Sequence, residues 1–174
     1  MAAGMNVFAL MAIPFFIYAG ELMNQSGIAE RLVKFAHSLL ARVRGGLGLV
    51  NVSSSMMFGA ISGSAVASAS AMGSTLIPMM KKQGYDADYA VNVTATAATT
   101  GLLIPPSHNM IIYAISAGGG LSIGSLFLAG IVPGILLGLG LMLVTYLVAV
   151  KRGYPSGTFP GWSQVLRHFI GALP

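Results

Sequence analysis

Two adjacent prolines, Pro105 and Pro106, stand in the middle of an apolar run from about residue 87 to residue 117. The run exceeds the roughly 20 residues a helix needs to cross a bilayer. A proline inside a helix has no N–H to donate, and its ring clashes with the carbonyl four residues earlier. A helix that breaks in lipid frees amides and carbonyls that no water can satisfy, so the break must face protein or a wet cavity. Discontinuous helices of this kind form ion and substrate sites in transporters. The chain therefore reads as part of a membrane transporter.

Composition supports that reading. Of 174 residues, 55% are hydrophobic and 7% charged, against about 25% charged in an ordinary soluble domain. There are 23 glycines, a composition that permits close helix packing in lipid. No cysteine is present, which excludes disulfide and thiolate chemistry. The net charge of +5 is not a nucleic-acid signal. The bases fall in short groups between apolar segments (Arg31/Lys34, Arg42/Arg44, Lys81/Lys82, Lys151/Arg152), as cytoplasmic flanks do under the positive-inside rule. No phosphate-binding glycine loop occurs, so no nucleotide is expected.

The expected fold is an all-α polytopic membrane protein. Residues 7–23 read as a transmembrane helix kinked at Pro14, with Glu21 near its cytoplasmic end paired to a base. Residues 28–43 read as an amphipathic helix whose apolar stripe is Ile28, Leu32, Phe35, Leu39 and Val43. It suits either the membrane surface or a solvated position against a neighbour. Residues 47–80 form two arms of roughly 15 to 17 residues, short for a full span, around Ser62-Gly63-Ser64. With basic residues at both ends and small residues along the arms, this reads as a re-entrant hairpin. Asp86 is an expected N-cap for a broken membrane helix over residues 87–117. Gly118-Gly119-Gly120 is a turn. Residues 123–150 are a long span with Pro133 inside and a small face at Gly130, Gly134 and Gly138, for which ordinary tight packing is the simplest role. Residues 155–174 form a polar cytoplasmic connection that starts another surface helix. Methionines 56, 57, 79 and 80 are read as packing residues.

The chemistry gathers at the two interruptions. A helix N-terminus offers free N–H groups and roughly half a positive charge to an anion. Such ends are expected near Ser64 and near Ser107. A hard monovalent cation prefers oxygen, and Ser62, Ser64, Thr99, Thr100 and Ser107 supply hydroxyls beside the carbonyls that a break exposes. The candidate substrate and ion site is therefore Ser62, Gly63, Ser64, Thr99, Thr100, Gly101, Pro105, Pro106, Ser107 and Asn109, with Ser62, Ser64 and Thr100 as candidate ligands of that cation. Asn51 and His108 are candidates for a supporting role. A lone Ser or Thr in a membrane helix more often bonds its own preceding turn; clustering at two breaks is what raises the functional reading. An intramembrane serine hydrolase built on Ser62 and His108 is a second reading. It lacks a third orienting group, and Ala60 stands where the Gly-x-Ser-Gly form has glycine.

The stretches Ala12 to Asn24, Arg44-Gly45-Gly46, Phe58 to Ala67, Ile104-Pro105-Pro106-Ser107, Phe127 to Gly134 and Lys151 to Pro155 together resemble the large membrane (DctM-type) subunit of TRAP transporters, the tripartite ATP-independent periplasmic carriers. The resemblance implies an elevator-type secondary transporter of the bacterial inner membrane. It implies sodium as coupling ion, and an organic acid anion such as a C4-dicarboxylate, sialic acid or sugar acid as substrate. It also implies a small four-helix membrane subunit and a periplasmic binding protein as partners, and no enzymatic activity. By motif, the family's ion and substrate sites map onto Ser62-Gly63-Ser64 and onto Thr100-Gly101 through Pro105-Pro106-Ser107. Composition alone leaves proton coupling open, with His108 as carrier. Such subunits are more than twice this length and hold two inverted repeats. Residues 1–154 correspond to the first repeat, so the chain is expected to be part of a longer protein or a truncated gene product.

Overall fold

The computed structural model describes residues 12–118, 120–157 and 161–172. Among these it contains α-helices and short turns with no β-strand: α1 (Ala12–Gln25), α2 (Ile28–Leu40), α3 (Gly46–Ser62), α4 (Ala65–Lys82), α5 (Ala87–Ala98), a 3-10 turn (Thr99–Leu102), α6 (His108–Ser116), α7 (Ile123–Lys151) and α8 (Trp162–Ala172). Residues 7–11 of the expected first span, and Gly119 of the glycine turn, lie outside the described residues. Pro14 is the third described residue of α1, so a kink there also depends on residues outside them.

Helices α3 and α4, of 17 and 18 residues, form an antiparallel hairpin. Gly63 takes a left-handed conformation (φ 61°) and its N–H donates to the Gly59 carbonyl at 2.8 Å, closing α3. Glycine holds that conformation without the Cβ penalty. Ser64 is extended and caps α4, its hydroxyl accepting from the Ala67 amide at 3.3 Å. Lys81 and Lys82 lie exposed in the last turn of α4, where cations complement the helix dipole.

One core lies where α2 crosses the hairpin, from Ala29, Leu32, Val33 and Ala36 to Val50, Phe58, Met72 and Leu76. The buried face of α2 is turned from the expected stripe. Ala29, Val33 and Ala36 are inside with Leu32, while Leu39 is exposed and Phe35 is only half-buried. The reason is tertiary: Phe35 packs on Phe169 of α8, with ring centroids 5.4 Å apart. The helix also stops at Leu40, three residues short of Val43. Ala41 and Gly45 then tie the chain to the C-terminal connection, the Ala41 carbonyl accepting from Gly157 at 2.8 Å and the Gly45 amide donating to Pro155 at 3.2 Å.

A second core sits at the base of the hairpin. Leu47, Met80, Tyr85, Tyr89, Val93, Ala149 and Tyr154 meet there. Asp86 occupies the N-cap position of α5, but its side chain makes no capping bond. Its carboxylate instead accepts from Tyr154 Oη at 2.6 Å and Arg152 Nη1 at 2.8 Å. A charged donor and a phenol outcompete the helix amides. Glu21 also differs from expectation: it accepts the Gln25 amide at 2.8 Å and has no salt bridge among the described residues, because no base lies within one helical turn of it.

Helix α7, 29 residues long, is the helix among those described that is both long and apolar enough to cross a membrane. At 1.5 Å per residue it spans about 43 Å, more than the roughly 30 Å hydrocarbon layer. It buries only Gly130, Gly134, Gly138, Thr145 and Ala149, one stripe at spacings of four and seven residues. Leu128, Leu136, Leu139, Leu143 and Leu147 point outward, as suits contact with lipid.

Candidate functional site

The long fourth segment breaks earlier than the prolines alone require. The α-helix ends at Ala98 and tightens into the 3-10 turn, where the Leu103 and Ile104 amides converge on the Thr100 carbonyl at 3.1 and 3.0 Å. Pro105 and Pro106, joined by a cis peptide bond, follow in an irregular stretch, and α6 restarts at His108 with extended Ser107 before it. In a continuous helix the Leu102 carbonyl would receive the amide of residue 106, which proline lacks. Ser107 Oγ donates to that carbonyl instead, at 2.7 Å. One serine thus repairs the hydrogen bond that one proline removes.

The hairpin tip lies against this break. A Cβ added at Gly59 would sit 2.6 Å from Gly101 Cα, and one added at Gly63 would collide with the Pro106 carbonyl. Glycine is required at both positions because backbone touches backbone. From the other side, α7 supports the break: a Cβ at Gly130 would lie 2.6 Å from the Leu103 carbonyl oxygen, and one at Gly134 would lie 2.8 Å from Ile104 Cγ1. Gly138 meets Met56 of α3. The small face of α7 is thus a packing surface.

Several of the site residues named from sequence are brought together. Ser62, Gly63, Gly101, Thr100 and Ser107 are buried at the junction, with Ser64, Pro105 and Pro106 half-buried beside them. Thr99 and Asn109 are exposed. The Thr100 hydroxyl donates to the Ala97 carbonyl and that of Thr99 to the Thr96 carbonyl, each at 2.7 Å. This is the back-bonding common for threonine in helices. Ser62 Oγ accepts weakly from the Ser64 amide at 3.4 Å. The N-termini of α4 and α6 meet at this place, each with first-turn amides that have no acceptor within their own helix. Their combined dipoles favour a negative group.

Asn51 lies away from the tip, about 16 Å down α3 by helical rise. It is fully buried, donates to Thr94 Oγ1 at 2.6 Å and lies 3.7 Å from Met80 Sδ. It fastens the first hairpin arm to α5. His108 opens α6 beside the junction and is half-buried.

Two contributors were not visible as such in the sequence. Gly20 of α1 presses on the tip, a Cβ there falling 3.4 Å from Ser62 Cβ. Beside it is a cavity of about 300 Å³ lined by Gly20, Glu21, Ser62, Ser64, Ala67 and Ser70, among others. The Ala-Gly pair within an apolar helix was the signal available for Gly20; nothing local marks Glu21 as facing the tip.

Over residues 1–174 the chain matches the family described as the tripartite ATP-independent periplasmic transporter, DctM component. The chain belongs to that DctM family. It is 45% identical to the uncharacterized protein YgiK of Salmonella typhimurium, over all of this chain and 40% of that protein. It is 42% identical to the C4-dicarboxylate TRAP transporter large permease protein DctM of Vibrio cholerae, over 92% of this chain and 35% of that one. It is 46% identical to the sialic acid TRAP transporter permease protein SiaT of Haemophilus influenzae, over 87% of this chain and 24% of that one. The chain therefore spans well under half the length of these relatives. Those with an assigned role are transporter permeases, not enzymes, and the serine-hydrolase reading of Ser62 and His108 is set aside on that finding.

Proposed function

We propose that this DctM chain provides the first-repeat half of the transport site in a sodium-driven, elevator-type TRAP permease of the bacterial inner membrane. Its cargo is an organic acid anion delivered by a periplasmic binding protein, and it works with a small four-helix membrane subunit. Residues 1–154 form the repeat, with α3–α4 as a re-entrant hairpin and α5–α6 as its broken helix. The second hairpin and its half of the site fall in the portion of the relatives that this chain does not match.

The observation that carries this reading is the contact of Gly59 and Gly63 with Gly101 and the Pro106 carbonyl. It joins two helix N-termini and several hydroxyls at one buried point, with Glu21 of α1 on the wall of the cavity beside it. Neutral oxygens at Ser62, Ser64 and Thr100 suit a hard monovalent cation, and paired helix N-termini suit a carboxylate. The relatives named for C4-dicarboxylate and for sialic acid share a carboxylate in those named substrates, which supports an organic acid anion as the cargo.

The test is uptake by the complete permease in proteoliposomes with its small subunit and binding protein. An inward sodium gradient should drive accumulation of a labelled carboxylate without ATP, and Ser62→Ala or Thr100→Ala should raise the sodium concentration for half-maximal uptake at least tenfold. Full uptake driven by a pH gradient without sodium, abolished by His108→Gln, would replace sodium by protons.

A further inference from the structure

Helix α8 folds back along α2. Arg31 Nη1 donates to the Gly171 carbonyl at 3.3 Å, and Phe35 meets Phe169 with ring centroids 5.4 Å apart. Between this pair and α4 lies a cavity of about 270 Å³. Its wall holds two histidines, His37 of α2 and His168 of α8, with Glu30 and Lys34 of α2 and Thr75 and Met79 of α4. Neither ring belongs to the tip where the two helix breaks meet. His168 Nδ1 is buried with no hydrogen-bond partner, so no bond at that atom ties α8 down.

The charges around His37 are almost all of one sign. On α2, Glu30 is already paired with Lys34 at 3.2 Å. Arg31 and Arg167 line a basic pocket that adjoins the cavity through Lys34 and His168. Arg42 and Arg44 follow in the turn after α2. Helix α3 has no ionisable side chain, and those of α4 are Lys81 and Lys82, exposed in its last turn. On α1, Tyr18 is exposed and Glu21 lies at the tip cavity instead. From the loop before α5, Tyr85 shares a second cavity with His37, and burial pushes its phenol up, so it stays neutral. Among the described residues, a proton on His37 therefore adds charge beside cations, with no unpaired carboxylate to answer it. The last turn of α2, where His37 stands, favours a cation through the helix dipole. Burial outweighs that: burial first, and then the charge of His168, hold the His37 imidazole below its ordinary value of 6.5.

We propose that the α2–α8 joint is an acid-sensitive latch, in which α8 stays docked while His37 is neutral and is released when His37 takes up a proton. For a base whose pKa is lowered by docking, the undocked state binds the proton more readily. Docking is then complete above the ordinary value of 6.5 and weakens as pH falls through it towards the lower docked value. Pro155 and Gly157 are fastened to Gly45 and Ala41, so release frees α8 while the connection before it stays anchored at the base of the hairpin. The latch does not depend on which ion drives transport; only its place on the cytoplasmic side rests on the permease reading.

Amide exchange over residues 165–172 measures docking. It is read by mass spectrometry on the complete permease in nanodiscs and corrected for the intrinsic effect of pH. A single proton on a ring of ordinary pKa 6.5 can weaken docking at pH 5.5 by at most about elevenfold. Protection in α8 should fall about fivefold between pH 8 and pH 5.5. His37→Gln should hold protection constant over that range, whereas Phe35→Ala should lower it at both ends and keep the ratio. Unchanged protection in the parent, or a fall as large in His37→Gln, would overturn the proposal. So would a rise in acid, which means that Glu30 leaves Lys34 for the charged ring. The reverse linkage is read separately by NMR, with the His37 imidazole identified as the resonance missing in His37→Gln. It should titrate nearer its ordinary value once Phe35→Ala with Phe169→Ala has undocked α8. A midpoint that ignored undocking would sink the latch even if His37→Gln failed to fold.

Discussion

The two ends of the α3–α4–α5 unit are built from opposite materials. At the base, large and polar side chains interlock: Tyr85 and Tyr154 stack with centroids 4.3 Å apart, Arg152 bridges to Asp86, and Asn51 bonds Thr94. At the tip there is almost no side chain. Gly59 rests on Gly101, Gly63 on the Pro106 carbonyl, and hydroxyls and backbone line the junction, with Glu21 on the cavity beside it. A site made of bare backbone has little packing to hold it, since small residues bury little apolar area. The base supplies what the tip lacks. It fixes the relative position of the helices so that their broken ends meet with exposed dipoles and carbonyls.

Overpacking the tip should therefore cost most. Gly59→Val places side-chain atoms where Gly101 backbone already lies, a strain of about 1–3 kcal/mol or more. It should lower uptake by more than tenfold while leaving membrane insertion intact. Gly140→Ala, in the same fold but with nothing within 4 Å, should be neutral or slightly stabilising. The contrast is read in uptake and melting temperature measured side by side. Equal behaviour of the two variants would mean that the Gly59–Gly101 contact is not what assembles the site.

The base should fail in a different way. Asn51→Leu removes the bond to Thr94 and cannot replace it, at a cost of about 1–3 kcal/mol. The melting temperature should fall, but the sodium concentration for half-maximal uptake should stay within about twofold of the original. A large shift in sodium dependence with unchanged stability would make Asn51 part of the ion site and erase the division between tip and base.

The sequence showed the tip more clearly than the base. Ser62-Gly63-Ser64 and Pro105-Pro106 are local signals, written in residues that cannot continue a helix, and helices end and restart beside them. What stayed hidden depends on distant partners. The helix stops at Ala98, before the prolines, because Gly101 must approach Gly59. The face of α2 is rotated because α8, more than 120 residues on, takes Phe35. Asp86 leaves its capping role because Arg152 and Tyr154 arrive from the far end of α7. A chain read locally shows where hydrogen bonds must break, but not which neighbour receives the groups released.

The smallest effect is expected at the ionic part of the base, and pH isolates it. Hydrogen bonds from Tyr154 and then Arg152 hold the Asp86 carboxyl below its ordinary value of 3.8. For a carboxylate whose folded pKa is depressed, the unfolded chain takes up the proton first as pH falls. The contribution of Asp86 is therefore complete above its unfolded pKa, and is lost only as pH drops through the lower folded value. Between pH 5 and 8 the clamp should not titrate, and melting temperature should carry no dependence on Asp86 in that range. Asp86 is solvent-accessible, with a side-chain exposure of 57%, so screening by salt keeps the gain small. Asp86→Asn should lower the melting temperature less than Asn51→Leu does, and the difference from the parent should shrink in high salt. It should also shrink as the parent is acidified below the unfolded pKa, and vanish once pH has dropped through the lower folded value, because both proteins then lack the charge. A difference that persisted unchanged under acid and high salt would mean that Asp86 acts through the neutral hydrogen bond to Tyr154, and the base would then be an aromatic clamp rather than an ionic one.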